Sequence, residues 1–560
     1  MVASPPLATR LAERNFRRNL AALAQVQPRD GSDAWQGGVF GHPDCPLPGD
    51  WELVFARDGS ISVVDQAGRF HRGCSVPLLA AREQLGAMKV SGACGCLLDP
   101  MHAAALRVVL DRLRPEQSVI AILPNLDDAM LLLHCDDFCA EIAAGRCWIV
   151  AGPDWLQQLR SCLLGQAGLA IPTQFIRTCD ADVASTDVLI ARSQALFGEI
   201  AAWRSRRVGE IREHSRHPSN ELRRICLVGG QRFRLWNDWA FMLAGVMSRA
   251  GLEVRVFDTD NPRNATPLAL AEAVAGCDAI LSSGVLRADH PGPVTAQIPW
   301  ITWLTQPREI PPFDQGADAA IVVDRSLFDS LRSAGWPEDR VMVADWPDAS
   351  EWLLDDASGS PVTPPAIDAP AALLADIPPL NPPSDLEELS SHRLLWEFLA
   401  HQMAHDPFAA FDRAERLIDD GMQRYQIAGA GLDRRRFLEE LIVPAYAVAV
   451  ARILCRSGVH LALYGRGWDQ FEELLRFWRG PVHNRREFRS AVAVARCLVH
   501  AVPSSRPHPI DATGRPVARY REGKVAGLLR AVRSPTQTIK PRQSLVGAVQ
   551  RLWQGITARR

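Results

Sequence analysis

Lysine is almost absent from this 560-residue chain: only Lys89, Lys524 and Lys540 occur among its 62 lysines and arginines. So one-sided a composition reads as the codon bias of a GC-rich genome, not as a binding signal. It leaves arginine to make the cationic contacts, and a guanidinium suits bidentate phosphate binding. Net charge is also lacking, at −2. That argues against nucleic acid as the partner, since phosphate binding draws on a net basic surface. No apolar stretch reaches the roughly 18 uncharged residues of a membrane-spanning helix. The opening MVASPPLATRLAERNFRRNL has no apolar core of the kind a signal peptide carries, so a cytoplasmic location is expected. Paired CxxC and HExxH are missing. The 13 cysteines are an odd number and sit mostly in apolar runs, as Cys226, Cys277 and Cys497 do. They read as small buried hydrophobes, not as a secreted disulfide framework. Cys94-x-Cys96 and His134-Cys135 with Cys139 fall short of a zinc set, so no metal is expected.

What is present is alternation. Residues 1–50 form an N-terminal extension, an arginine-rich amphipathic stretch followed by a Gly/Pro-rich segment. Residues 51–64 alternate as a hairpin about Asp58-Gly59. Across 51–215, apolar runs (SVIAILP, RCWIVAG) alternate with helical patterns, including one helix predicted from Asp127 to Gly145, which is the signature of a parallel sheet with covering helices. A second block over 220–352 repeats the pattern with RICLVGG, LEVRVFD, DAILSSG, PWITWLT, DAAIVVD and RVMVADW as strands. Residues 353–385 are rich in proline and read as a linker. A helical region and a third α/β block fill 386–518, with VHLALYG and AVARCLVHAVPS as strands and DQFEELLRFW as a helix, before a basic tail at 519–560. The fold class is therefore α/β with tandem Rossmann-like domains.

Two glycine turns follow strands. At Gly229-Gly230-Gln231-Arg232, backbone N–H groups and an arginine either meet a ligand anion or make an ordinary strand-to-helix turn. Asp258 ends the next strand as a ribose-binding acid would, but GxGxxG is absent, which opposes a nicotinamide-linked enzyme. At Gly465-Arg466-Gly467-Trp468, the glycines permit close backbone approach and the tryptophan stacks on a base or sugar, or else the turn is tight and the tryptophan is core. His500 and His508 are candidates for a general base, with a backbone-satisfied strand-end histidine as the other reading of His500. Asp258, Asp260 and Asp289 are acidic candidates, or solvated loop carboxylates. Thr305, Gln306 and Arg308 line a cleft or a plain loop.

The series VHLALYGRGWDQF, Gly480-Pro481-Val482 and LVHAVPSS resembles bacterial glycosyltransferases of the GT-B type, in the group similar to the spore-maturation protein CgeB. The likeness runs over about 222–518. It implies that the C-terminal pair of domains forms a GT-B fold, with the acceptor-side domain at 220–352 and a shortened donor-side domain after it. It also implies a nucleotide-sugar donor bound near Gly465, Arg466, Gly467, Trp468, Arg506 and Arg515, no tightly bound cofactor, and a protein or surface-glycan acceptor near Gly229, Gly230, Arg232, Thr305, Gln306 and Arg308. The group's Arg-x-x-Glu segment has no counterpart here, which opens a second reading: a non-catalytic scaffold that binds glycan or protein. The first block, SGACGCLL through GRCWIVAG, resembles the Rossmann-like domain of motility-accessory (Maf-type) flagellin glycosyltransferases. Its acid position reads Leu123-Pro124, so the block is expected to recognise acceptor or to be structural. The amphipathic piece Ser544–Ile556 is a candidate for contact with an anionic membrane surface, or a solvated terminus.

Overall fold

A computed structural model of the chain describes residues 6–25, 47, 51–86, 88, 90–100, 102–178, 183–214, 221–230, 239–290, 292–304, 312–313, 317–323, 325–344, 370–383, 386, 390–427, 432, 434–501, 516–519, 529, 532 and 545–557. It is α/β throughout. Two compact units emerge: Met1–Gly230 with Arg255–Ile280 and Val285–Ile298, and Gln231–Val254 with Leu281–Gly284 and Pro299–Arg560. The division runs through the second α/β block and not at its edges.

In the first unit, the hairpin forms as expected, with β1 (Glu52–Phe55) antiparallel to β2 (Ile61–Val64). Behind it stand β3 (Cys94–Leu98), β4 (Ser118–Leu123), β5 (Cys147–Ala151) and β6 (Gln174–Arg177), all parallel, in the order β5-β4-β3-β6. Every residue of β3, β4 and β5 is buried, as expected of strands covered on both faces. The chain steps outward from β3 to β5 and returns on the other side for β6, so the sheet is doubly wound.

Two expectations are corrected here. The described helix of the N-terminal extension packs on this domain. Helix α1 (Leu7–Gln25) packs on α4 (Leu126–Cys135) and α5 (Cys139–Ala143), with Phe16 stacked on His134 at 4.0 Å. The single helix expected from Asp127 to Gly145 is two, because α1 supports a break at Asp136-Asp137. Buried Asn19 donates to the carbonyls of Leu133 (2.9 Å) and Asp136 (2.8 Å) and accepts from the N–H of Phe138 (2.7 Å), filling the bonds the break leaves open.

Helix α7 (Val183–His214) is held by one buried cation. Arg204 donates to the carbonyls of Leu163 (2.7 Å) and Gln166 (3.3 Å) at the end of α6 (Trp155–Gly165), and to that of Leu169 (2.7 Å). Burial pushes its ionisation down to about 10. Arg204→Met keeps the apolar stem and strands these carbonyls, at an expected cost of about 1–3 kcal/mol in chemical denaturation.

The hairpin turn is tied in by Asp58. One carboxylate oxygen accepts from the N–H (3.1 Å) and hydroxyl (2.6 Å) of Ser60, the other from the N–H groups of Leu78 (2.7 Å) and Leu79 (3.2 Å) in the first turn of α2 (Pro77–Leu85). Burial alone would raise this carboxyl, but the four hydrogen bonds outweigh it and hold it below its ordinary 3.8. A carboxylate depressed in the folded state adds stability above its unfolded value and loses it as pH falls through the folded one. The wild type is therefore expected to lose part of its margin over Asp58→Asn as pH drops below 3.8, in unfolding curves recorded through that range.

The second sheet runs β12-β11-β10-β9-β7-β8, with β7 (Arg224–Gly229), β8 (Glu253–Asp258), β9 (Ala279–Ser283), β10 (Trp300–Leu304), β11 (Asp318–Val322) and β12 (Val341–Val343). These are the six strands expected from their apolar runs.

In the second unit, the third sheet is parallel, ordered β14-β13-β15-β16: β13 (Ala371–Leu374), β14 (Leu461–Tyr464), β15 (Cys497–His500) and β16 (Val517–Arg519). Its inner strand β13 comes out of the stretch read as a linker. Four buried residues, AALL, are too few to show a period, and Pro370 sits where a proline does least harm, before the first strand residue, with its carbonyl accepting from Arg496. The helix expected over DQFEELLRFW is instead two tight 3₁₀ turns, Trp468–Gln470 and Glu472–Phe477. The tail helix Leu545–Thr557 lays Leu545, Ala548, Val549, Leu552, Trp553 and Ile556 against β11, β12 and the turn Glu338–Arg340. Its apolar face is thus covered by protein, and the membrane contact expected of Ser544–Ile556 has no apolar face left to make it. Among the described residues, no helix is long and apolar enough to cross a membrane.

Candidate functional site

Of the residues singled out from sequence, Arg232, Thr305, Gln306, Arg308, Arg506, His508 and Arg515 lie outside the described residues. The others fall in separate places. Gly229 ends β7, and its carbonyl accepts from the N–H of Thr259. A Cβ on Gly230 would lie 2.2 Å from the Asp260 carboxylate, so the space beside this glycine is taken by a side chain of the same fold. The Asp258 carboxylate accepts from the N–H of Asp260 at 3.0 Å and shapes the turn after β8. His500 is only 1% exposed at the last position of β15, in register with Arg519, so the general-base reading fails for want of access.

The YGRGW turn serves its own sheet. Gly465 and Gly467 both have positive φ, and a Cβ on them would strike the carbonyl oxygens of Ala375 (2.1 Å) and Ile377 (1.8 Å). The N–H of Ile377 donates to Arg466 O (2.9 Å), and the N–H of Arg466 donates to the Asp376 carboxylate (2.8 Å). Trp468 has no exposed surface and donates through Nε1 to the carbonyl of Ala375 at 2.8 Å. Of the two readings of this turn, the tight turn with a core tryptophan is the one seen: one strand end packs closely on another where ligand stacking and close ligand approach were the alternative. Arg466 is exposed here, as are Asp376, Asp469 and Gln470.

A cluster that the sequence reading missed stands at the carboxyl ends of β3 and β4, the place where open α/β sheets take ligands. The Asp99 N–H continues the ladder by one bond, to Ile122 O at 2.8 Å. Its φ of 42° then turns the chain out ahead of Pro100. Left-handed backbone at a non-glycine residue costs roughly 1–3 kcal/mol and gathers at functional sites. Among the described residues, Arg72, Asp99 and Gln426 are the non-glycine residues with positive φ, and two of them are here. After β4, Asn125 caps α4 by accepting from the N–H of Asp127, which sets Asp128 in the helix's first turn. There the dipole favours a carboxylate.

Asp128 holds two side chains from the turn His71–Gly73. Arg72 Nη2 lies 2.8 Å from Oδ2 and His71 Nε2 lies 3.5 Å from Oδ1. The His71 ring meets Trp51 edge-on at 5.1 Å and His102, which precedes α3 (Ala103–Arg112), at 6.0 Å. The two acids are driven apart. Burial lifts the Asp99 carboxyl above its ordinary value; the Arg72 charge opposes that and the Asp128 charge adds to it. Burial would lift Asp128 too, but its hydrogen bonds to His71 and Arg72, and their charges, outweigh it and hold Asp128 below the usual carboxylate value. Two neighbouring carboxyls with opposed shifts are how a protein separates a proton-carrying group from a permanently charged one. The arrangement can accept a proton at Asp99 and present Arg72 and imidazole N–H groups to developing negative charge. Asp99-Pro100 directly after CGCLL was the available sign. The glycines Gly92 and Gly95 stand at the other end of that strand.

No family model matches the chain, and no curated protein does. Among solved structures, it is similar to the MAf glycosyltransferase from Magnetospirillum magneticum AMB-1, with 14% identity and a TM-score of 0.23, over 62% of this chain and 58% of that one. The chain thus spans little more than half of that relative's length, and at this TM-score the likeness carries no conclusion about chemistry.

Proposed function

We propose that the chain is a glycosyltransferase that moves a sugar from a nucleotide-sugar donor to a protein or surface-glycan acceptor, with its acid–base site at Asp99 and Asp128. The observation that carries this reading is the carboxyl pair, with its arginine and histidine, at the ligand-binding edge of a doubly wound parallel sheet. In such a transfer Asp99 takes the proton of the acceptor hydroxyl as that oxygen bonds to the sugar's anomeric carbon. The bond from that carbon to the nucleotide's phosphate breaks as the new one forms. Arg72 and the imidazoles face the phosphate oxygens that gain charge, the kind of preorganised stabilisation that dominates group transfer. Asp128 keeps Arg72 and His71 in place. Donor hydrolysis and thermal shift with a panel of UDP-, GDP- and CMP-linked sugars test the reading. A raised midpoint and release of nucleotide from one of them are expected, and silence across the panel counts against it.

A second reading is supported by the third sheet, where the glycine turn is filled by the protein's own backbone: a scaffold that binds glycan or protein without turnover. Any transfer that Asp99→Asn abolishes excludes it.

A further inference from the structure

Thr178 follows the last residue of β6. It is 6% exposed, and its hydroxyl has no hydrogen-bond partner. Buried polar groups are nearly always paired, so one that is not asks for an explanation. β6 runs parallel to β3 with Arg177 beside Leu98, so Thr178 and Asp99 are the next residues along the two strands. Phe175 of β6 stacks on Phe197 of α7 at 6.0 Å, and Arg177 pairs with Asp187 of the same helix. Strand alternation then turns Ile176 and Thr178 to the opposite face of the sheet.

That opposite face carries α3. The chain steps from β3 to β4 through α3, and from β5 back across the sheet to β6 through α6, which packs on α7. Crossovers between parallel strands are right-handed, so steps in opposite directions put α3 and α6 on opposite faces. α3 starts at the carboxyl end of β3 with Ala103, Ala104 and Ala105, has no acid in its first turn and is capped by no side chain. Ala103 and Ala104 are buried, and among the described residues nothing accepts from their N–H groups. The neighbouring α4 differs, since Asn125 caps it. Three donors thus lie at one corner of the sheet. β3 and β6 flank the point where the strand order reverses, which is where such sheets take ligands. Asp99 and His102, the half-buried residues between β3 and α3, give the corner its opening.

Building on the transferase reading, we infer that this corner seats a phosphate of the nucleotide-sugar donor, which accepts from the Thr178 hydroxyl and from the N–H groups of Ala103 and Ala104. A phosphate oxygen only accepts, and all three groups have a hydrogen to give. The helix dipole favours an anion at this end of α3, and an acid in the first turn, which would compete for it, is missing. A phosphate here lies beside Asp99, so the bond that breaks in the transfer is next to the carboxyl that takes the acceptor's proton.

The test is calorimetric titration of the full chain with UDP, GDP, CMP and inorganic phosphate. The wild type is expected to bind at least one of them. Thr178→Val is expected to bind it about 10–100-fold more weakly, the worth of a hydrogen bond to a charged group. Its ligand-free unfolding midpoint is expected to stay or rise, because the hydroxyl has no partner to lose. Thr178→Ser keeps the hydroxyl and is expected to bind as the wild type does. Ala103→Pro removes one N–H at the first helical position, where proline fits, and is expected to weaken binding as well. Thr178→Val with wild-type affinity overturns the inference and leaves the transferase reading standing. Silence of the wild type toward all four probes overturns it too, and the transferase reading is then decided by the nucleotide-sugar panel. Where Thr178→Val fails to fold, Ala103→Pro takes its place, and wild-type affinity in that variant is the overturning result.

Discussion

Asp99→Asn is expected to lower sugar transfer by about 10²–10⁴-fold, the usual contribution of a general base, while leaving the unfolding midpoint unchanged or higher. The two readouts move in opposite directions for a physical reason. The Asp99 carboxyl is raised in the folded state by burial. Its ionised form is therefore disfavoured by folding, and the folded state holds the proton more tightly than the unfolded one. Stability from this group is fully present below the ordinary carboxylate value of 3.8 and is lost as pH rises through the folded value, so at neutral pH the charge is a net cost. Asparagine removes that cost. It also tolerates the left-handed φ of 42° that the turn imposes, whereas alanine would add strain. A structural role for Asp99 predicts the reverse, with loss of stability and retained turnover. The pH–rate profile is a second check: its acid limb is expected above the ordinary carboxylate range, and a limb at 3.8 would exclude Asp99 as the base.

The parts of the fold legible in the sequence were those that repeat one signal. Strands β4 and β5 of the first block and the six of the second lie where the expected strand segments lie, whereas β6, QFIR with a polar residue at each end, gave no such signal. The hairpin at Asp58-Gly59 was equally plain, because a turn between alternating strands is a local property. Elements that depend on distant partners were not. Helix α1 looks like a charged extension until Asn19 is seen closing a break between α4 and α5, more than a hundred residues away. Strand β13 has four residues between prolines and takes its identity from β14 and β15 on either side. The site was hidden for the same reason. Trp51, His71, Arg72, Asp99, His102 and Asp128 come from four segments with no shared spacing, and a positive φ at Asp99 cannot be read from its neighbours. The Gly-x-Gly spacing at 465–467 misled because close approach by a backbone carbonyl demands the same missing side chain as close approach by a ligand.

That ambiguity fixes the second large effect, at Trp468. Trp468→Ala is expected to destabilise the second unit by about 3–5 kcal/mol, the cost of truncating a fully buried aromatic. The indole has no exposed surface, and its N–H closes the Ala375 carbonyl. Gly467→Ala is expected to act in the same direction, since its Cβ would lie 1.8 Å from Ile377 O at a φ of 80°. Arg466→Ala is the control. Its guanidinium is exposed, and its N–H, which binds Asp376, survives the substitution; a surface change of this kind stays within about 0.5 kcal/mol. Urea unfolding separates the cases through the transition midpoint and slope. A chain of several domains need not unfold in one step, so the transition to follow is the one that Trp468→Ala moves. A ligand-stacking tryptophan would behave otherwise, with an unmoved midpoint and loss of donor-induced thermal shift. That pattern would return the YGRGW turn to the binding surface. The packed pattern assigns it to holding β13 and β14 together.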